Sequence, residues 1–282
     1  MSAAIAGFLS AQEIWRAPLI ASLISGALLG FLGVYVVLRR TVFVSAALTQ
    51  ISTLGLVFGL FLEEHLHAEA EHAHHQLGMA IGFAVVGAVA LGALRTRRLP
   101  AEAVVGAAWV IGSGLVVLGA SRLVHAAHDL GGMVFGNAVA VPDEELWMIA
   151  GVALLCAAVH LAFHKELTFV SFDPETATAQ GMRTWLWDAM LWVTVGLAIP
   201  AAARALGALP VFAFLTLPAS AALLLRVRLS RAFALAAVFG LLASGAGYLA
   251  SWFGETPTGA TMVAVVALFL LPGAVLRRVQ AS

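Results

Sequence analysis

The sequence predicts an all-α protein that crosses a lipid bilayer several times. Of its 282 residues, 62% are hydrophobic and 11% are charged, whereas roughly 25% are charged in an average soluble domain. The apolar residues form long stretches, and the polar residues collect in short segments between them. A soluble fold of this size cannot bury so much apolar surface, so the predicted solvent is lipid. The formal net charge of zero gives no electrostatic basis for binding nucleic acid.

Nine apolar stretches approach the length of about 20 residues that a transmembrane helix needs. The seventh is short and contains Pro218, which predicts a broken or tilted helix, so the count of nine carries a range of roughly eight to ten. In chain order the predicted spans are Ile14–Leu38, Val42–Leu62, Leu77–Leu94, Ala103–Leu123, Leu146–Phe163, Trp185–Ala203, Val211–Leu225, Ala232–Trp252 and Ala260–Leu276.

The basic residues predict the orientation of the chain. Under a nine-span count, arginines follow spans one, three, seven and nine, and Lys165 and Arg183 flank the connection after span five. All these positions fall on one side, and basic residues favour the cytoplasmic side of a membrane. The N-terminus is therefore predicted outside and the C-terminus in the cytoplasm.

The chain is predicted to be a single membrane domain over residues 1–282 without a covalently bound cofactor. It contains no Gly-x-x-x-x-Gly-Lys-Ser/Thr sequence, the loop that cradles nucleotide phosphates. Work driven by ATP and Mg²⁺ would therefore need a separate subunit. Cys156 is the single cysteine, which excludes an intrachain disulfide and a thiolate metal cluster.

An acidic, histidine-rich segment over residues 63–77 lies between the second and third predicted spans, on the outer side. It contains five of the nine histidines of the chain. Imidazole and carboxylate groups together suit zinc and related divalent ions. We predict an external loop that captures metal loosely, and the alternative is a solvated polar loop without a ligand. The candidate metal ligands are His65, His67, His72, His74 and His75.

The connection over residues 165–184, on the predicted cytoplasmic side, contains the signals of a short helix. Asp173 is a good N-cap, Pro174 suits the first helical position, and Glu175 in the first turn favours the helix dipole. Gly181 is a natural C-terminal stop. A helix of about two turns outside the bilayer needs a surface to pack against. An ordinary capped loop helix is the alternative.

This segment resembles the coupling segment of the permeases of ABC-type metal importers, the family that takes up zinc, manganese and iron. The resemblance lies in Phe172-Asp173-Pro174-Glu175-x-Ala177-x-Ala179-x-Gly181. It extends over about residues 20 to 275, through further stretches that occur in the family's order along the chain. These are Gly30–Arg40, Leu130–Asn137, Gly207–Ala221 and Pro257–Ala260.

The resemblance implies a type II ABC importer-like permease in a bacterial inner membrane. It implies a dimer of two identical or two related chains, with ABC ATPase subunits below and an extracytoplasmic metal-binding protein above. The residues implied to contact the ATPase are Phe172, Asp173, Pro174, Glu175 and Gly181. The chain would itself catalyse no reaction. It would move a divalent metal, zinc and possibly manganese, by alternating access.

One departure from the family concerns the metal path in the membrane. Ala46 and Gln50 stand where the family commonly has an aspartate and a histidine implicated in holding the metal. A polar stripe on span two could replace that site, or it could form interhelical hydrogen bonds. Alternatively, the metal crosses without a tight site, or the chain serves another solute or a heteromeric partner. The stripe consists of Ser45, Thr49, Gln50, Ser52 and Thr53.

Three other polar residues allow alternative interpretations. His160 and His164 could mark a metal exit site or could be ordinary interface histidines, and Asp188 is expected to pair with Arg183 or to cap a helix. A metal–proton exchanger that works without ATP is a further alternative. It is disfavoured because the spans contain almost no carboxylate to carry protons.

Overall fold

The computed structural model describes residues 11–66, 72–93, 100–123 and 141–273, and this part of the chain contains helices and no strand. The all-α class is therefore confirmed. The helices are α1 (Gln12–Leu38), α2 (Val42–Leu66), α3 (His72–Ala93), α4 (Ala101–Ala120), α5 (Asp143–Ala162), α6 (His164–Phe172), α7 (Pro174–Ala179), α8 (Thr184–Leu206), α9 (Ala208–Leu224), α10 (Leu229–Gly254) and α11 (Thr258–Leu268).

Each of the nine predicted spans overlaps one helix of the described residues, and α6 and α7 are additional. Within the described residues, 6 helices are long and apolar enough to cross a membrane. Three further apolar helices are shorter, over Gln76–Leu91, Ala208–Leu224 and Thr258–Gly273. The polytopic class is thus confirmed, whereas the count of nine spans and the sides of the two termini stay predictions.

Two local expectations are corrected. Segment 63–77 is not a loop throughout, because α2 continues to Leu66 and α3 already begins at His72. A helix satisfies its own backbone hydrogen bonds, so it need not end where the apolar stretch ends, and Glu, Ala and Leu favour helix. The predicted break at Pro218 is also absent, since α9 runs through this residue. Proline is tolerated in apolar helices that neighbouring helices support.

The chain divides into two compact units, and the first is built from the described parts of residues 1–34, 132–154 and 202–282. In this unit α9, α10 and α11 pack on one another. The first part of α1 packs on α10 through small residues. A Cβ added to Gly26 would lie 2.6 Å from the carbonyl oxygen of Gly240. A Cβ added to Gly30, four residues along the same helix, would overlap the carbonyl oxygen of Ala236, so these two glycines let the backbones of α1 and α10 approach closely.

The second unit is built from the described parts of residues 35–131 and 155–201. Its α2 packs against α3 and α4, and Val57, Val116 and Leu123 form a small buried core between α2 and the end of α4. The short helices α6 and α7 also belong to this unit and contact each other. The predicted coupling segment therefore lies within the second unit.

Candidate functional site

Helix α7 has the caps that the sequence predicts. The Oδ1 atom of Asp173 accepts a hydrogen bond from the backbone N–H of Thr176 at 3.0 Å, and Oδ2 accepts from its hydroxyl at 2.7 Å. Both bonds lower the pKa of the Asp173 carboxyl below its usual value, and the bond from the hydroxyl has the larger effect. The cap is therefore charged at neutral pH. Pro174 opens the helix, and Gly181 adopts a φ of 82° that favours glycine.

The surface around α7 combines polar groups of this helix with one exposed aromatic ring at the end of α6. Ala177 is buried and holds the helix on the protein, while Glu175 and Thr178 are exposed. Phe172, immediately before the cap, is 70% exposed. An exposed aromatic side chain beside charged and hydroxyl groups is the kind of anchor that dominates protein interfaces.

Helix α6 connects α5 to the cap of α7, and sequence analysis missed it. The sequence predicts one short helix in a loop, whereas the structure contains α6 directly before it. Leu167, Val170 and Ser171 of α6 are buried. Their spacing of three and four residues is typical of an amphipathic helix and is the signal that could have identified it.

Arg39, at the end of α1, binds both α6 and α8. Its Nε donates a hydrogen bond to the Oγ of Ser171 at 2.9 Å, and its Nη1 forms an ion pair with Asp188. The predicted pairing of Asp188 with Arg183 is therefore wrong. The two partners lie 149 residues apart, so only the tertiary fold brings them together.

A second polar contact, one helical turn before Arg39, joins the last turn of α1 to the start of α6. The hydroxyl of Tyr35 lies 3.1 Å from Nδ1 of His164, the first residue of α6. The ring of Tyr35 also packs on His160, with 4.9 Å between ring centroids. His160 is fully buried, and its Nε2 lies 2.8 Å from the hydroxyl of Thr194. We call Tyr35, Arg39, His160, His164, Ser171, Asp188 and Thr194 the polar seam.

The seam does not resemble a metal site. Within the described residues, no group of three His, Cys, Asp or Glu side chains is placed to hold a metal ion. His160 and His164 lie on different helices, because α5 ends at Ala162. Both contact protein side chains from α1 or α8. The geometry thus gives the two histidines contacts between helices, and their position at the membrane surface stays a prediction.

The hydroxyls of the polar stripe on α2 bond within their own helix. Ser45, Thr49 and Thr53 donate to the carbonyl oxygens of Val42, Ser45 and Thr49 at 2.5, 2.8 and 2.9 Å. Each oxygen still has lone pairs that could face a cation. In the described part of the chain these three hydroxyl groups therefore donate within α2 and not to another helix.

Two further members of the stripe have defined surroundings. Ser52 is buried and Gln50 is partly buried. A Cβ added to Gly112 of α4 would lie 3.2 Å from the Cβ of Gln50, so α4 approaches α2 closely at this point.

The candidate ligands of the histidine-rich segment fall at two helix ends. Position 65 lies in α2, and positions 72, 74 and 75 open α3. His67 lies outside the described residues, and the structure does not test metal binding by any of the five. The two helices are linked beside them, because the amide of Gln76 donates a hydrogen bond to Oε2 of Glu63 at 2.9 Å.

Comparison with known proteins gives matches along almost the whole chain. The ABC 3 transport family matches residues 11–277. The manganese transport system membrane protein MntC of Halalkalibacterium halodurans is 27% identical over 254 residues, which cover 90% of this chain and 84% of that protein. An uncharacterized membrane protein of Synechocystis sp. is 25% identical over 267 residues, or 94% of this chain and 92% of that protein.

A solved structure has the same fold. PsaBC from Streptococcus pneumoniae in complex with a Fab superposes with a TM-score of 0.82 and 23% identity, over 95% of each chain. At this identity the likeness establishes the fold alone.

Proposed function

The chain belongs to the ABC 3 transport family, and from this premise we propose that it is the permease subunit of an ATP-driven importer of divalent metal ions. The family resemblance is thereby confirmed, and the chain is a multi-pass protein of a bacterial inner membrane. In the proposed complex two permease chains form the path, ABC ATPase subunits bind ATP and Mg²⁺, and an extracytoplasmic binding protein delivers the ion. The chain contributes movement and no covalent chemistry.

The observation that carries this proposal is the local structure of the coupling segment. A charged N-cap fixes the start of α7, and Phe172 stands exposed beside it. The buried face of α6 holds both on the second unit. A partner that binds Phe172 and α7 would therefore move α6 together with them. This is the mechanical link that an ATPase without its own membrane path requires.

The proposed topology has nine spans, with the N-terminus outside and the C-terminus in the cytoplasm. The six long apolar helices and the three shorter ones support this count. Under this topology the coupling segment over residues 165–184 lies in the cytoplasm, where ATP is available. The histidine-rich segment lies outside, where it would meet incoming metal.

Manganese is the proposed cargo in preference to zinc. The stripe on α2 offers hydroxyl and amide oxygens, which suit a harder ion than zinc. The name of the relative in Halalkalibacterium halodurans points to the same ion. Gln50 would be the central member of the path, since it stands where the family commonly has a histidine. Replacing Gln50 with histidine should shift uptake towards zinc in a competition between the two ions.

A second candidate function follows from Ala46 and Gln50. A chain that lacks both expected charged ligands could serve as one half of a heterodimer whose other half binds the ion. Uptake by a complex that contains two copies of this chain and no other permease distinguishes the two proposals. Manganese uptake by that complex supports the first, and uptake only after a second permease is added supports the other.

The coupling role is tested by co-purification. Phe172→Ala should lower recovery of the cognate ABC ATPase with the tagged permease by about thirtyfold, because interface anchors of this kind contribute about 2 kcal/mol or more. Phe253→Ala is the matched control, since Phe253 is 51% exposed at the end of α10, on the predicted outer side. Equal ATPase recovery with both variants would contradict the proposed contact.

A further inference from the structure

We infer that Arg39 is a positioning residue that transmits movement of the coupling segment to the membrane helices, with Ser171 and Asp188 as its two partners. The inference rests on the proposed function, since it names the part of the permease through which an ATPase would act. It concerns contacts inside the second unit and requires no bound ion.

Arg39 is placed where three elements meet. It follows the last residue of α1, while Ser171 lies near the end of α6, two residues before the cap of α7. Asp188 lies just after the first turn of α8. The Nε and Nη1 atoms of one guanidinium therefore hold α6 and α8 at the same time. A displacement of α6 would pull on this group directly.

The position of Arg39 is itself fixed by a tight turn. Arg40 has a φ of 56°, which is rare for a residue with a side chain. The backbone N–H groups of Arg40 and Thr41 donate to Val37 at 3.0 Å and Val36 at 3.2 Å, which closes the end of α1. Helix α2 begins at Val42, so any movement of Arg39 also moves the α1–α2 turn.

Burial makes the contacts of Arg39 strong and selective. Its side chain is 7% exposed, whereas that of Asp188 is 31% exposed. A guanidinium removed from water depends on its partners, because losing one leaves a buried charge uncompensated. Its Nη2 atom is also buried and has no hydrogen-bond acceptor among the residues that the structure describes. Arg39 therefore keeps one donor group that could bind a new acceptor when the helices shift. An element that switches between two arrangements needs such an exchange of partners.

The Tyr35–His164 contact strengthens the same connection. Tyr35 precedes Arg39 by one helical turn, and His164 precedes Ser171 by about two turns. The end of α1 is thus fixed to the start of α6 by one contact and to its end by the other. Helix α6 is therefore tied to the last turn of α1 at two points, and the ion pair with Asp188 passes a movement of α6 on to α8.

The experiment measures metal ions transported per ATP hydrolysed in proteoliposomes that contain the permease, the ABC ATPase and the binding protein. We expect Arg39→Gln to retain the ATPase and its hydrolysis, while the transport ratio falls about fivefold or more. Arg40→Gln is the matched control, because it removes a neighbouring exposed charge and should leave the ratio unchanged. The reversed pair Arg39→Asp with Asp188→Arg should recover part of the ratio that either single change loses.

A wild-type ratio in Arg39→Gln overturns the inference. Where Arg39→Gln does not assemble, Ser171→Ala and Asp188→Asn change only the partners, and an undiminished ratio in both likewise overturns it. A purely structural role predicts that hydrolysis and transport fall in proportion, so that the transport ratio stays at the wild-type value. Failure of the unaltered complex to couple uptake to ATP instead contradicts the proposed function.

Discussion

One contact inside each compact unit illustrates a different way of joining helices. In the first unit, α1 and α10 meet through Gly26, Gly30 and Gly240, and a Cβ added to any of them would overlap the facing helix. In the second unit, the ends of α1, α6 and α8 meet through the polar seam, with Arg39 at its centre. One contact consists of close backbone packing, and the other of polar side chains.

The difference indicates which part can move. Close backbone packing has one good arrangement, because a shift of either helix brings atoms into overlap or opens a void. Polar side chains can exchange partners while the helices shift, provided that each keeps an acceptor. We therefore assign the glycine contacts of the first unit to scaffolding and the polar seam to transmission.

The largest effect is expected at the scaffolding contact. Gly240→Leu should prevent recovery of folded protein, because an added Cβ would already overlap the carbonyl group of Gly26 and leucine adds three further carbons. Gly151→Leu is the control, since nothing lies within 4 Å of a Cβ added there. The measurement is the yield of monodisperse protein in detergent. A normal yield of Gly240→Leu would contradict the assignment to scaffolding.

The next effect concerns a polar contact inside the first unit. Arg204 near the end of α8 pairs with Glu145 at the start of α5, and both side chains are largely buried. Glu145→Leu alone should destabilise the protein by about 3–5 kcal/mol, whereas adding Arg204→Met should restore most of the loss. Thermal unfolding measures both variants. A transport defect without loss of stability would show that polar contacts of the first unit also transmit movement.

A smaller effect is expected for the hydroxyl of Tyr35. Tyr35→Phe removes the contact with His164 while keeping the ring on His160. The expected loss of stability is about 1 kcal/mol. The transport ratio should fall less than in Arg39→Gln, since the ion pair to α8 remains. If Tyr35→Phe lowered the ratio as much as Arg39→Gln does, Tyr35 would be the main residue that transmits the movement, in place of Arg39.

The smallest effect is local to α7. Asp173→Ala should speed amide exchange of residues 174–181 by a few-fold, whereas Asp173→Asn should preserve most protection because asparagine also caps helices. Hydrogen exchange measured by mass spectrometry compares the variants, and equal exchange in all of them would show that the cap does not order the helix.

The same cap predicts how exchange depends on pH. The pKa of Asp173 is lowered in the folded protein from its usual 3.8. The ionised cap therefore stabilises α7 fully above pH 3.8, and this stabilisation is lost as the pH falls through the lower pKa of the folded state. The protection of residues 174–181 against amide exchange should therefore stay constant from about pH 5 to 8. A transition in this range that Asp173→Asn removes would contradict the charged cap.

Local patterns predicted the elements, and they could not predict the long-range pairs. The span positions follow from apolar length, and the Asp173 cap follows from a motif of a few residues. Helix α6 was missed because it has only 9 residues, several of them β-branched or aromatic residues that favour helix weakly. The Arg39–Asp188 and Tyr35–His164 pairs join residues 149 and 129 positions apart. No local pattern contains such contacts, so Asp188 was wrongly paired with the nearby Arg183.

ATP-dependent manganese uptake into proteoliposomes tests the central claim most directly. The vesicles contain this chain, its cognate ABC ATPase and the binding protein, with ATP on the ATPase side. We predict that ions accumulate only when ATP is hydrolysed, and that Phe172→Ala abolishes this accumulation. Equal uptake in vesicles that lack the ATPase, or undiminished uptake by Phe172→Ala, would contradict the account.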